Sequence, residues 1–139
     1  MKRKQDRWQA FESRMGREMT AWVATMRPSL APHLVPVWFV WSERIFYFVV
    51  ATDSEQFENL RGNQKVAITL PDAEKVVIIE GEAHASNRAT SQKMANFFYN
   101  KYEFDYTQDR EVSWRLVEVT PERILAWGDG FDELGMQLL

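Results

Sequence analysis

Ser54 follows Thr52 and Asp53 and leads into Glu55 to Arg61, a segment in which Phe57 and Leu60 lie three apart. This order puts hydroxyl and carboxylate groups at the start of a short helix, whose first backbone N–H groups have no partner inside the helix. Such an end can bind a phosphate or be capped by its own side chains, and spacing alone leaves both readings open. Other chemistries find less support. With no cysteine and only two histidines, His33 and His84, disulfides, thiolate nucleophiles and cysteine or zinc centres are excluded. No Gly-x-Ser-x-Gly elbow is present for a serine hydrolase. Glu80 and Glu82 point to one side of a strand, as a glycosidase pair would, but alternating charge on a solvated strand face is the commoner reason for such spacing. His33, beside Pro32, lacks a second residue in a pattern that would bind metal or haem. Trp38, Trp41, Tyr99 and Tyr102 could line a cavity for a flat organic molecule, though aromatic residues at strand or helix spacing more often fill cores and interfaces.

These residues belong to a chain of 139 residues, 45% of them hydrophobic, which is enough for one core and too short for two of ordinary size. The expectation is a single domain over 1–139, with an N-terminal helix at 3–16, a barrel over about 19–128 and a tail at 129–139. A net charge of −3 offers no basic field for nucleic acid. No apolar run reaches the length of a membrane span and Met1 to Arg7 is charged rather than signal-like, so the expected location is cytoplasmic with no membrane partner.

Trp8, Phe11 and Met15 recur at helical spacing and form one apolar stripe ending near Gly16. Ala21 to Met26 reads as a strand, the two prolines of Arg27 to Pro32 as a turn, and His33 to Trp41 and Ile45 to Ala51 as the next strands. Both faces of His33 to Trp41 and of Phe46 to Val50 are apolar, so each needs a second cover besides the barrel interior: a helix, a cofactor or another subunit. Dimerisation is the simplest common answer. Lys65 to Leu70 and Lys75 to Ala85 are further strands, with a bend or bulge expected at Gly81. Asn87 caps a helix whose aromatic face is Met94, Phe97, Phe98 and Tyr102. Val112 to Val119, a turn at Thr120 to Arg123, and Ile124 to Trp127 complete the pattern. The fold class is mostly β with helices: a split β-barrel of six to seven mainly antiparallel strands.

The order of Trp22 to Pro28, Pro32 to Trp41, Phe46 to Ala51, Asn59-Leu60-Arg61 before Lys65 to Ile68, Val76 to Ala83, Lys101-Tyr102 and Val119 to Ile124 resembles the pyridoxamine 5'-phosphate oxidase-like family of split-barrel flavin and deazaflavin proteins. The resemblance covers roughly residues 19–128. It implies a homodimer with two sites at the subunit interface, each holding FMN or a deazaflavin. By the same resemblance, Val37 and Trp38 border the ring. Thr52, Ser54, Asn59 and Leu60 belong to the phosphate side or its support, and Arg27 is a second cation for the phosphate. Three residues before Asn59 many family members carry Lys or Arg; this chain has Gln56, with Asp53, Glu55 and Glu58 around it. Two functions from different classes follow. One is an FMN- or deazaflavin-dependent oxidoreductase moving hydride to or from a small organic substrate, with no acid–base residue assigned. The other is a non-catalytic dimer on the same fold that binds flavin, haem or another small ligand, with an altered or lost cofactor site.

Overall fold

A computed structural model describes residues 4–128 and 136–137. The elements run α1 (Lys4–Arg17), β1 (Ala21–Met26), β2 (Pro32–Val37), β3 (Phe39–Ser42), β4 (Ile45–Ala51), α2 (Glu55–Gly62), β5 (Lys65–Thr69), β6 (Val76–Ala85), α3 (Arg88–Tyr102), β7 (Trp114–Trp127) and a two-residue β8 (Met136–Gln137). A 3-10 turn at Tyr106–Gln108 lies between α3 and β7. The expected tail at 129–139 falls, apart from β8, outside the described residues.

All strand pairs are antiparallel, in the order β2-β1-β5-β6-β7-β4-β3, with β8 beside β7. The two edge strands of that order, β2 and β3, are consecutive in sequence and separated by Trp38 alone. A flat sheet cannot bring its edges that close, so the sheet curls into an open barrel whose seam is at Trp38. Here the structure corrects the sequence reading of one strand over His33 to Trp41. Val37 is the last residue paired to β1, and Phe39 is the first paired to β4.

The main core fills the barrel. Phe46, Phe48 and Val50 of β4 face inward against Phe39, Val23, Ile68, Ile79 and Val119, and α1 contributes Phe11 and Met15, both fully buried. The second cover needed by β3 and β4 is a helix of the same chain. Val40, Val49 and Leu116 on the outer face pack against Met94, Ala95 and Phe98 of α3. Phe97, placed on that aromatic face from sequence, is instead 41% exposed. The outer face of β2 keeps Leu34 and Pro36 exposed.

A second correction concerns Thr120 to Arg123, expected as a turn between two strands. β7 runs unbroken from Trp114 to Trp127. Arg123 pairs with Glu80 and Pro121 with Gly81, which leaves Glu122 as an extra residue opposite the bulge in β6. The extra residue switches which side of β7 points inward, from Val117 and Val119 to Ile124 and Ala126. Gly81 is required there, since a Cβ would lie 2.4 Å from the Thr120 carbonyl oxygen.

Candidate functional site

At the seam, where β2 parts from β4, the sheet opens into a cleft of about 800 Å³, within the range of small-molecule sites. Its apolar lining comes from Val35, Pro36 and Val37 of β2 and Val49, Val50 and Ala51 of β4. Trp38, Phe104 and Trp114 add aromatic walls, and Thr20, His33, Ser54, Glu55 and Gln56 supply the polar groups.

The aromatic wall is held from behind. Trp38 stacks on Tyr102 with ring centroids 4.7 Å apart and planes 7° from parallel, and Phe104 meets Trp38 edge-on at 5.6 Å. Phe104 in turn meets Trp114 at 5.8 Å, and the Trp114 indole N–H donates to Asp109 at 2.8 Å. That bond, with two backbone N–H donors, holds the Asp109 carboxyl below the usual carboxylate range. The Tyr102 hydroxyl accepts from the Phe39 N–H at 3.0 Å and lies within donating distance of the Met19 and Phe39 carbonyls, at 2.9 and 3.1 Å. Lys101 donates to the carbonyls of Met15 and Phe39 at 3.2 and 3.1 Å, with its ammonium 3.9 Å from the Phe39 ring centre. Burial pushes the Tyr102 phenol up to about 12 and pulls the Lys101 amine down to about 8, the latter opposed by the charge of Glu18.

The polar corner is built on the start of α2. Ser54 is the N-cap, its hydroxyl accepting from the Phe57 N–H at 3.2 Å. Gln56, in the first turn, is 6% exposed, and its amide nitrogen has no hydrogen-bond acceptor. Asn59, one turn further and buried, donates to Thr25 Oγ1 at 3.1 Å and lies 3.4 Å from His33 Nδ1. With Asn59 as donor to Nδ1, the His33 proton sits on Nε2, which faces a Glu55 carboxylate oxygen at 3.6 Å. The other Glu55 oxygen accepts from Arg27 Nε at 2.5 Å, and Arg27 also donates to the Pro32 carbonyl at 2.8 Å. The Arg27 hydrogen bond is the main cause holding the exposed Glu55 carboxyl below its ordinary value.

Of the eight residues named from sequence, Val37, Trp38, Ser54 and Gln56 line this cleft. Arg27 stands outside it, paired to Glu55. Thr52 is exposed outside the cleft, its N–H bonded to the Ser113 carbonyl, and Leu60 packs in the main core. Asn59 lies behind His33 and orients it. Trp41 packs on Trp8 and Phe11, away from the cleft, and Tyr99 is 56% exposed. Sequence reasoning missed Phe104 and Trp114, since they come from the loop after α3 and the first residue of β7, with no local pattern tying them to Trp38. His84, Glu80 and Glu82 are surface groups in ion pairs. His84 and Lys65 bind Glu82, and Arg123 lies 3.6 Å from Glu80. Among the described residues no cluster of His, Asp and Glu could hold a metal ion.

The flat aromatic and aliphatic walls fit a planar ring system such as a flavin. The polar corner does not fit a phosphate: among the described residues no Lys or Arg lines the cleft, and Glu55 stands at the helix start.

The fold recurs in solved structures of low sequence identity. A candidate pyridoxamine 5'-phosphate oxidase from Listeria innocua matches with a TM-score of 0.70 at 14% identity, covering 91% of this chain and 98% of that one. General stress protein 26 from Bacillus anthracis gives 0.66 at 18%, covering 88% and 92%. The haem storage protein of Vibrio cholerae gives 0.69 at 17%, covering 92% and 95%. No protein of curated function matches by sequence. The family model described as pyridoxamine 5'-phosphate oxidase matches residues 7–128, nearly the whole barrel described above, and the chain belongs to that split-barrel family.

Proposed function

We propose that the protein is an oxidoreductase that holds a flavin or deazaflavin ring in the Trp38 cleft and passes hydride to or from a small organic substrate. The observation that carries this reading is the cleft itself, an opening of about 800 Å³ at the barrel seam with a buttressed aromatic wall facing valines of β2 and β4. When bound, such a ring supplies the hydride chemistry. The chain supplies an apolar slot, a buttressed wall in Trp38 and a neutral polar corner at Gln56. A second reading, ligand binding without turnover, is favoured by the state of the titratable lining groups. His33 and Glu55 face each other, and Asn59 engages the remaining His33 nitrogen. The same contacts argue against His33 as a haem ligand.

Titration of the purified chain into FMN and a deazaflavin, followed by fluorescence and visible absorption, tests the binding. Saturation at one ligand per subunit is expected. No binding of FMN, riboflavin or a deazaflavin up to about 1 mM, near −4 kcal/mol, removes the reading. Reduction of the bound ring by a reduced nicotinamide or deazaflavin supports the oxidoreductase, and a bound ring that no donor reduces leaves the carrier.

A homodimer is part of the proposal. Leu34 and Trp38 are 57% and 46% exposed, and Trp22, Leu70, Ile78 and Trp127 line an apolar depression on the outer face beside Leu34. A second copy is the occupant proposed for this surface. A single-subunit mass by light scattering at micromolar concentration would overturn that assignment.

A further inference from the structure

The cleft is well made for a ring and poorly made for an anion. Among the described residues its lining holds the carboxylate of Glu55 and neither lysine nor arginine. The start of α2, the usual place for a phosphate, already carries Glu55 and Glu58 in its first turn, and Ser54 caps the Phe57 N–H. Arg27 is bonded through Nε to Glu55 and through Nη1 to the Pro32 carbonyl, so an arriving phosphate would share this guanidinium with a carboxylate. What remains at this end is the Gln56 amide, buried, with its nitrogen unpaired. A neutral amide suits a hydroxyl or carbonyl oxygen, whereas a phosphate dianion is held by charge-assisted bonds.

Resting on the flavin reading above, we propose that the cleft selects the uncharged form of its ring ligand, riboflavin or the corresponding unphosphorylated deazaflavin, over the phosphorylated form. The ring would lie between the aromatic and valine walls, with its polyol chain toward Gln56.

Parallel fluorescence titrations of the full chain with riboflavin and with FMN at neutral pH and moderate salt test this. Riboflavin is expected to bind several-fold more tightly than FMN. Equal affinity, or FMN binding more tightly than riboflavin, overturns the proposal. Two variants probe the cause independently. Gln56→Lys adds a cation to the corner, and Glu55→Gln releases Arg27; each is expected to move the FMN-to-riboflavin affinity ratio by about tenfold toward FMN. An unchanged ratio in both folded variants overturns the placement of the charge. If neither riboflavin nor FMN binds the wild-type chain, the flavin reading itself falls and the selectivity falls with it. Binding of both with FMN preferred removes the selectivity alone.

Discussion

On one side of Trp38, Lys101 and Tyr102 reach across 62 or more residues of chain to the carbonyls of Met15, Met19 and Phe39 and to the Phe39 N–H. On the other, Gln56 is nearly as buried as the core around it and its amide nitrogen bonds to nothing. The first corner joins the end of α1, the β2–β3 break and the last turn of α3, and it fixes the plane of the indole. The second leaves a donor unpaired at a concave surface. Buried polar groups in folded proteins are almost always paired, so an unpaired nitrogen on a residue of the cleft wall is compatible with the ligand proposed there. The satisfied corner holds the fold together, and the unsatisfied one leaves Gln56 available to the ligand proposed for the cleft.

Removing the clamp is the largest break of this contrast. Lys101→Met deletes the ammonium that serves two backbone carbonyls, and partial solvent access limits the cost to about 1–2 kcal/mol of unfolding free energy. Chemical denaturation reads that loss, and near-ultraviolet circular dichroism reads the accompanying release of Trp38 from its stack. An unchanged denaturation midpoint and aromatic spectrum would show that the clamp is incidental.

A pH series sharpens the same point with a smaller effect. In the folded protein Lys101 titrates at about 8 instead of 10.5, so between those values the unfolded chain binds more protons and stability rises with pH. This contribution is present above 10.5 and lost as pH falls through about 8. Tyr102, raised from 10.0 to about 12, acts in the opposite sense: its contribution is present below 10 and lost as pH rises through about 12. The stability advantage of wild type over Lys101→Met is therefore expected to widen between pH 7.5 and 9.5. Parallel curves for the two proteins over that interval would contradict the titration of Lys101 in this window.

Much of the frame was legible because its causes are local. β1 and β4 have the bounds read from sequence, each set off by turn residues at one end, and Ser54 and Asn87 cap the helices they were expected to cap. Gly81 marks a bulge for a reason the sequence hints at but does not contain, the approach of the Thr120 carbonyl. The misread segments depend on partners distant in sequence. Pro121 looked like a turn, yet it sits beside the extra residue of a bulge, where the loss of one ladder N–H is tolerated. Trp38 looked like the middle of a strand, yet the sheet's two edges meet there. For the candidate site, the sequence showed the cap and the neutral residue at position 56. It did not show that Arg27 is held by Glu55, nor that Phe104 and Trp114 complete the wall, because each contact joins separate elements.

The smallest effect on stability is expected at Gln56. Gln56→Leu removes an amide that has no acceptor for its nitrogen and keeps a side chain of similar volume in a buried position. The folded state should lose nothing and gain up to about 1 kcal/mol, since an unpaired buried polar group costs energy that an apolar replacement does not. Ring-ligand affinity should fall by about tenfold in the same variant, because a neutral amide donor of the polar corner is gone. Denaturation and flavin titration of the one protein separate the two quantities. A Gln56→Leu protein less stable than wild type by more than about 1 kcal/mol would mean that the amide already has a structural partner, and the two corners beside Trp38 would then serve the fold alike.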